Sequence, residues 1–265
     1  MASAVEMVTS ADGTPIAFER SGAGAAVVLI GGAFSDRGTL RGLAAALAPH
    51  FTAVTYDRRG RGRSGDTSPY AVQREVDDLT AVMERVGGRA HVFGHSSGAI
   101  LALEGARAGA PVDRVAAYEP PYIAGGYPRP GADLADRLRA LLREGRRDDA
   151  VALFQTEAIG LPAQVVAGLR QTEMWSGLVD LAHTLPYDMD VTGPGNVLPA
   201  ERLSSIAVPV LVLAGTASMP WMLPGTRAVA AAIPGARHMA LEGADHGTPH
   251  AHPEVLVPLL LDFLS

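Results

Sequence analysis

The 265-residue chain has no cysteine and no lysine. Without cysteine there are no disulfides, thiol nucleophiles, iron–sulfur clusters or cysteine-ligated zinc. Without lysine, Schiff-base chemistry is excluded, and all 22 basic residues are arginine. Charge is sparse: 19% of residues carry it, and 28 acidic against 22 basic side chains leave a net charge of −6. A nucleic-acid surface needs clustered positive charge, so no nucleic-acid partner is expected. Apolar runs are short, and none reaches the roughly 20 residues that span a bilayer. Residues 1–10 lack the basic start and apolar run of a secretion signal. The expectation is a soluble cytoplasmic protein with no membrane partner. What is present suffices for a full core: 48% apolar residues in a length that suits one α/β domain.

Short β-rich runs alternate with helical patterns, which predicts a mostly parallel sheet covered on both faces. Residues 5–9 and 16–20 flank Asp12-Gly13, the signature of an opening hairpin. Further strands are predicted at 26–30, 52–56, 90–93, 115–118, 208–214 and 237–241. Helices are predicted at 71–86, after Gly98, at 226–232 and at 253–264. From about Ile123 to Ser204 the alternation breaks. There Leu134, Leu138, Leu141 and Leu142 fit one helical face, and Met174, Leu178, Leu181 and Leu185 fit another. The pattern predicts a core of residues 1–122 and 205–265, with 123–204 as a helical cap over one end of the sheet.

Gly60, Gly62 and Gly65 spell G-x-G-x-x-G just after a strand. In a dinucleotide site those glycines open a helix whose N-terminus holds a pyrophosphate. Here Asp66-Thr67-Ser68-Pro69 follows, a loop, so the stretch is read as a tight glycine turn without a nucleotide. Gly94-His95-Ser96-Ser97-Gly98 is G-x-S-x-G between a strand and a helix, and that context gives the pattern its meaning. A nucleophile on such a turn sits in strained backbone, flanked by glycines because side chains would collide, with a positive helix end aimed at the site. Ser96 is the candidate nucleophile, and Ser97 would contribute its backbone N–H.

A serine hydroxyl is a poor nucleophile until a base takes its proton. Among the eight histidines, His246 follows the last strand within Glu242-Gly243-Ala244-Asp245-His246-Gly247, at the sheet edge expected for Ser96. His250 and His252 are its rivals. This cluster lacks a spaced carboxylate–histidine motif, so no metal is expected.

Four features occur together: Gly31-Gly32 after the third strand, Tyr56-Asp57-Arg58-Arg59-Gly60-Arg61-Gly62-Arg63-Ser64-Gly65 after the fourth, the serine elbow, and the terminal Gly-Ala-Asp-His loop. With them the chain resembles the α/β-hydrolase superfamily over essentially its whole length. The resemblance implies a mostly parallel eight-stranded sheet with helices on both faces and a helical cap. It also implies a triad in the order nucleophile, acid, histidine, with an oxyanion hole from the N–H groups of Ser97 and Ala33, or alternatively Phe34.

The chain departs from the family twice. The usual His-Gly of the oxyanion loop is Gly31-Gly32. The loop after strand seven, the common seat of the acid, reads Gly215-Thr216-Ala217-Ser218-Met219-Pro220 and holds no carboxylate. The family's other acid position, directly after strand six, is occupied by Glu119, with Asp188 and Asp190 as alternatives. The implied activity is serine hydrolysis of a small-molecule ester or lactone, without metal or organic cofactor, by a monomer or homodimer. Cyclisation, acyl transfer or carbon–carbon bond hydrolysis on the same triad, and a non-hydrolytic binding protein of the same fold, are the competing expectations. Phe34, Trp175, Tyr187, Met219, Trp221 and Met222 are expected to line an apolar pocket, with Phe154 a further aromatic of the cap.

Overall fold

A computed structural model describes residues 4–265, so the first three residues of the segment inspected for a leader lie outside it. Eight strands form one sheet: β1 (Glu6–Thr9), β2 (Pro15–Ser21), β3 (Ala26–Ile30), β4 (Thr52–Tyr56), β5 (Ala90–His95), β6 (Val112–Tyr118), β7 (Val210–Gly215) and β8 (Arg237–Leu241). Their order is β1-β2-β4-β3-β5-β6-β7-β8. The β1–β2 and β2–β4 pairs are antiparallel and every later pair is parallel. This is the mostly parallel eight-stranded sheet that the sequence implies.

Helices cover both faces. Helix α1 (Arg41–Leu47) follows β3, α2 (Val72–Val86) follows β4, and α3 (Ser97–Arg107) follows β5. Between β6 and β7 lie α4 (Leu134–Arg143), α5 (Arg147–Leu153), α6 (Ala163–Leu169), α7 (Met174–Asp180), α8 (Leu185–Thr192) and α9 (Ala200–Leu203). Then come α10 (Met222–Ala232), α11 (Thr248–Ala251) and α12 (Val257–Leu264). Among the described residues no helix is long and apolar enough to cross a membrane.

β3 is buried at every position, as its Ala-Val-Val-Leu-Ile sequence requires of a strand covered on both sides. One face packs Val28, Val54 and Val92 under Leu79 and Val82 of α2 and Ile100 of α3. The opposite face packs Val27, Leu29 and Phe93 under Leu43 and Leu47 of α1 and Leu260 of α12. The helices between β6 and β7 gather an apolar cluster of their own around Leu134, Leu138, Val151, Trp175 and Leu185, against which Ala33 and Phe34 pack.

Several boundaries differ from expectation, among them the starts of β6 at Val112 rather than 115 and of β7 at Val210 rather than 208. β5 runs two residues further, through His95. α10 starts at Met222 rather than Thr226, because Pro224 falls in the first turn, where no intrahelical N–H is needed. The segment read as one helix over 253–264 divides into a single turn at Pro253–Val255 and α12, since Pro253 and Pro258 each favour a fresh helix start.

The parallel pairing decides where chemistry can occur. β3, β5, β6, β7 and β8 are neighbours pointing the same way, so their C-terminal ends share one edge. That edge collects Gly31-Gly32-Ala33, Ser96, Glu119, Ser218 and the 242–247 loop.

Candidate active site

Ser96 sits between β5 and α3 with φ of 57°. Its N–H donates to Tyr118 O at 2.9 Å, and its carbonyl accepts the Ala99 N–H at 2.9 Å, which fixes the turn from both sides. A Cβ at Gly94 would strike Gly98 O and the Ala99 backbone, and one at Gly98 would strike the Ile30 and Gly31 carbonyls. Only glycine lets the helix approach this closely. Phe34, Glu119 and Asn196 share the positive φ, at 58°, 49° and 50°, making four such non-glycine residues among those described. Phe34, Ser96 and Asn196 line one cavity of about 180 Å³, and Glu119 stands behind its His246 wall. Strained backbone of this kind clusters where a site must be held in shape. Among the described residues neither the Ser97 N–H nor the Ala33 N–H donates to a protein acceptor. Ser97 and Ala33 both border the cavity beside Ser96.

Glu119 is fully buried at the end of β6, where its N–H donates to Leu213 O at 2.9 Å. Its Oε1 accepts the Gly215 N–H at 2.8 Å and the Ser218 hydroxyl at 2.5 Å. Its Oε2 lies 2.6 Å from His246 Nδ1. A carboxylate this buried is tolerable because donors occupy both oxygens. With its proton held on Nδ1, His246 presents Nε2 as an acceptor. No hydrogen bond joins Ser96 Oγ to His246 among the described residues; the two side chains meet as walls of one cavity.

Two further histidines brace this arrangement. His95 Nε2–H donates to His246 O at 3.0 Å, so its Nδ1 is left to accept from His250 Nε2 at 3.2 Å. Burial, together with the neighbouring His246 and His250 rings, holds His95 well below the ordinary histidine range and therefore neutral. Burial and His246 likewise lower His250. His250 thus belongs to the cavity rim, whereas His252 pairs with Glu254.

The alternative acids are engaged elsewhere. Asp188 bonds Arg58, Arg61 and Ser97 Oγ, and Asp190 bonds Arg139. Burial pushes Asp188 up, but the charges of Arg61 and Arg58 and the Ser97 hydrogen bond overcome it and hold the carboxyl low.

A sequence model of the alpha/beta hydrolase family matches residues 27–259. The chain belongs to this family. A crystallised alpha/beta hydrolase from Sphaerobacter thermophilus DSM 20745 is 50% identical, with a TM-score of 0.90 over 98% of this chain and 100% of that one. A protein named as a carbamate hydrolase, RutD, from Caulobacter sp. (strain K31) is 31% identical, the match covering 83% of each chain. The enol-lactonase from Burkholderia xenovorans LB400 shares the fold at 22% identity, with a TM-score of 0.73 over 98% of this chain and 99% of that one. Two other relatives are matched over small parts of their length: the match covers 35% of the hydrolase YraK from Bacillus subtilis (strain 168) and 12% of the polyketide synthase ThaQ from Burkholderia thailandensis.

Of the residues expected to line the pocket, Phe34, Trp221 and Met222 do so, and so does Phe154. Three do not. Trp175 lies in the cluster shared by the helices between β6 and β7, with its indole N–H on Asp148. Tyr187 stacks on Tyr70 at 3.9 Å and donates to Asp66 at 2.8 Å, away from the cavity. Met219 packs behind the wall, against Ile123, Trp221 and Met222.

Sequence reasoning missed Ile159 and Ala158, which reach the cavity from a π-helical turn at Phe154–Ile159. It also missed the arginines of the glycine loop. That loop closes by a Gly60 N–H to Gly65 O bond and buries Arg58 against Glu75 and Arg59 against Asp78. The available signal was on α2, where Glu75 and Asp78 interrupt the apolar Val76, Leu79, Val82 pattern. Two carboxylates three residues apart on a buried helix face require cationic partners.

Proposed function

We propose that the protein is a serine hydrolase of small, uncharged carboxylic esters or lactones, with Ser96 as nucleophile, His246 as base and Glu119 as the acid that orients it. The observation that carries this reading is the 2.6 Å contact between Glu119 Oε2 and His246 Nδ1 at the cavity that Ser96 also lines. His246 Nε2 takes the hydroxyl proton as Ser96 Oγ attacks the carbonyl carbon. The oxyanion accepts from the Ser97 and Ala33 N–H groups. Collapse breaks the C–O bond, and His246 returns the proton to the leaving alkoxide. Water then repeats the sequence on the acyl-enzyme, releasing the acid and regenerating Ser96. Residues 123–204 act as a cap over a core of 1–122 and 205–265, supplying Phe154 and Met189 to the pocket wall.

The restriction to uncharged acyl groups rests on the lining. Phe34, Phe154, Ile159, Met189, Trp221 and Met222 are apolar, and among the described residues no arginine borders the cavity. Asp188 does border it, but its charge is already matched by Arg58 and Arg61. An anionic substrate finds no cation to meet.

The test is a panel of p-nitrophenyl acetate, butyrate, hexanoate and hemisuccinate, neutral lactones and a p-nitrophenyl carbamate, alongside a fluorophosphonate probe. The expected result is probe labelling abolished by Ser96→Ala, and kcat/KM for neutral acyl groups well above that for the hemisuccinate. Absence of labelling in the wild type would sink the serine assignment. Preference for the hemisuccinate would sink the uncharged-acyl assignment alone.

A further inference from the structure

An oxyanion hole works only if two N–H groups, from separate loops, aim at one point. In this chain the backs of both loops are tied to a single carboxylate. Within a trans peptide the C=O and the following N–H point in opposite directions. Arg61 Nη1 donates to Gly32 O at 2.5 Å, so the N–H of the same peptide, that of Ala33, is turned away from Arg61. Ala33 borders the cavity. Arg61 Nη2 in turn donates to both oxygens of Asp188, at 2.8 Å each. Asp188 Oδ1 also accepts the Ser97 hydroxyl at 2.7 Å and Arg58 Nη1 at 2.8 Å. Arg58 is held from its far side by both oxygens of Glu75 at 2.6 Å.

We infer that Asp188 and Arg61 are positioning residues that aim the Ala33 and Ser97 N–H groups at the oxyanion. The inference rests on the serine hydrolase reading above. Two features separate this role from generic ion pairing. First, the ligands of the network are the hole itself: the Gly32 carbonyl on one side and the Ser97 side chain on the other. Second, the four charged side chains are each at most 2% exposed and sum to zero charge. The network therefore has little room to rearrange. Asp188 belongs to α8, which also supplies Met189 and Thr192 to the cavity wall. Seating of the 123–204 segment and alignment of the hole are therefore one event.

The experiment uses the double variant Arg61→Met/Asp188→Leu, which removes one charge of each sign and leaves Arg58 paired with Glu75. The second variant is Arg61→Lys, which keeps the charge but loses the fork that spans Asp188 and Gly32 O. Both are compared with the wild type on a neutral p-nitrophenyl ester and with an alkyl boronic acid, which forms a tetrahedral adduct on serine. The expected outcome is kcat lowered about 10- to 100-fold with KM little changed, a smaller effect than the roughly 10²–10³ of deleting a donor outright. Boronate affinity should weaken in parallel. The acidic limb of the kcat/KM pH profile should stay in place, because Glu119 and His246 are untouched. A merely structural network would lower Tm in these variants and leave kcat and boronate affinity alone, which overturns the inference. A displaced acidic limb would also overturn it, by returning Asp188 to the role of triad acid. If the double variant does not fold, Arg61→Lys decides by the same readouts. A wild type that neither hydrolyses esters nor labels with fluorophosphonate defeats the underlying reading instead.

Discussion

Glu119 divides its two oxygens between the strand-seven loop and His246. Oε1 takes the Gly215 N–H and the Ser218 hydroxyl, and Oε2 faces His246 Nδ1. Glu119→Gln preserves this shape but not its logic. The amide oxygen goes to the two donors, so the NH₂ faces His246 and forces the proton onto Nε2, where a base is required. By analogy with a triad aspartate changed to asparagine, kcat should fall by about 10⁴-fold. Steady-state ester hydrolysis measures this, with an unchanged thermal melt as the control. Ser218→Ala removes one of two donors to Oε1, and its cost should stay near tenfold or below, the scale of one hydrogen bond. A silent Glu119→Gln would remove the carboxylate from the mechanism. The Glu119–His246 contact was anticipated from the family resemblance, because the strand-seven loop lacks a carboxylate and the residue after strand six supplies one. Ser218 was not legible. Its role arises where the strand-seven loop turns back over β6, and a serine in a loop carries no mark of that contact.

The helices between β6 and β7 show where pattern reading ends. Their apolar spacing reveals amphipathic helices, yet it cannot say which aromatic faces a ligand. The cavity and the cluster around Trp175 are both apolar, so one hydrophobic signal serves two destinations. Phe154 reaches the cavity from the π-helical turn and meets Phe34 edge-on at 5.5 Å, whereas Trp175 points into the cluster. A π turn inserts a residue into the 3.6 period, so no periodicity argument anticipates it. The two aromatics should therefore respond differently. Trp175→Ala should lower stability by about 3–5 kcal/mol and leave the ranking of acyl groups unchanged. Phe154→Ala should raise kcat/KM for hexanoate relative to acetate by enlarging the pocket. Melts and the ester panel separate the two. Equal changes in acyl preference for both variants would contradict the distinction.

Across the whole molecule, the sheet order brings five loops from distant parts of the chain to one edge, and the histidines there govern its response to pH. Arginine, the only basic side chain besides histidine, stays charged throughout the working range. Between pH 7 and 5 histidines are then the side chains whose ordinary titration range is crossed. His95 is held well below its ordinary value by burial and by the His246 and His250 rings, and His91, His238 and His250 are lowered mainly by burial. A lowered histidine pKa means that the unfolded chain binds more protons than the folded one. The stability so gained is complete above the ordinary histidine pKa of about 6.5, and it is lost as pH falls through the folded values. The buried carboxylates Glu75 and Asp188, also held low, act in a separate window. Their contribution is lost only as pH falls below the carboxylate range. Tm should thus decline between pH 7 and pH 5, above the range in which Glu75 and Asp188 lose their contribution. His95 should contribute most to the decline, because it lies deepest and protonation would cost it the proton it accepts from His250. His95→Gln supplies an N–H in place of Nε2–H toward His246 O and cannot titrate. Melts of the variant at pH 7, 6 and 5 should fall less steeply than those of the wild type, the remaining slope belonging to the other three histidines. An unchanged slope would mean that His95 accepts a proton in the folded state without loss, and that the bond it makes to His246 is not what fixes that residue.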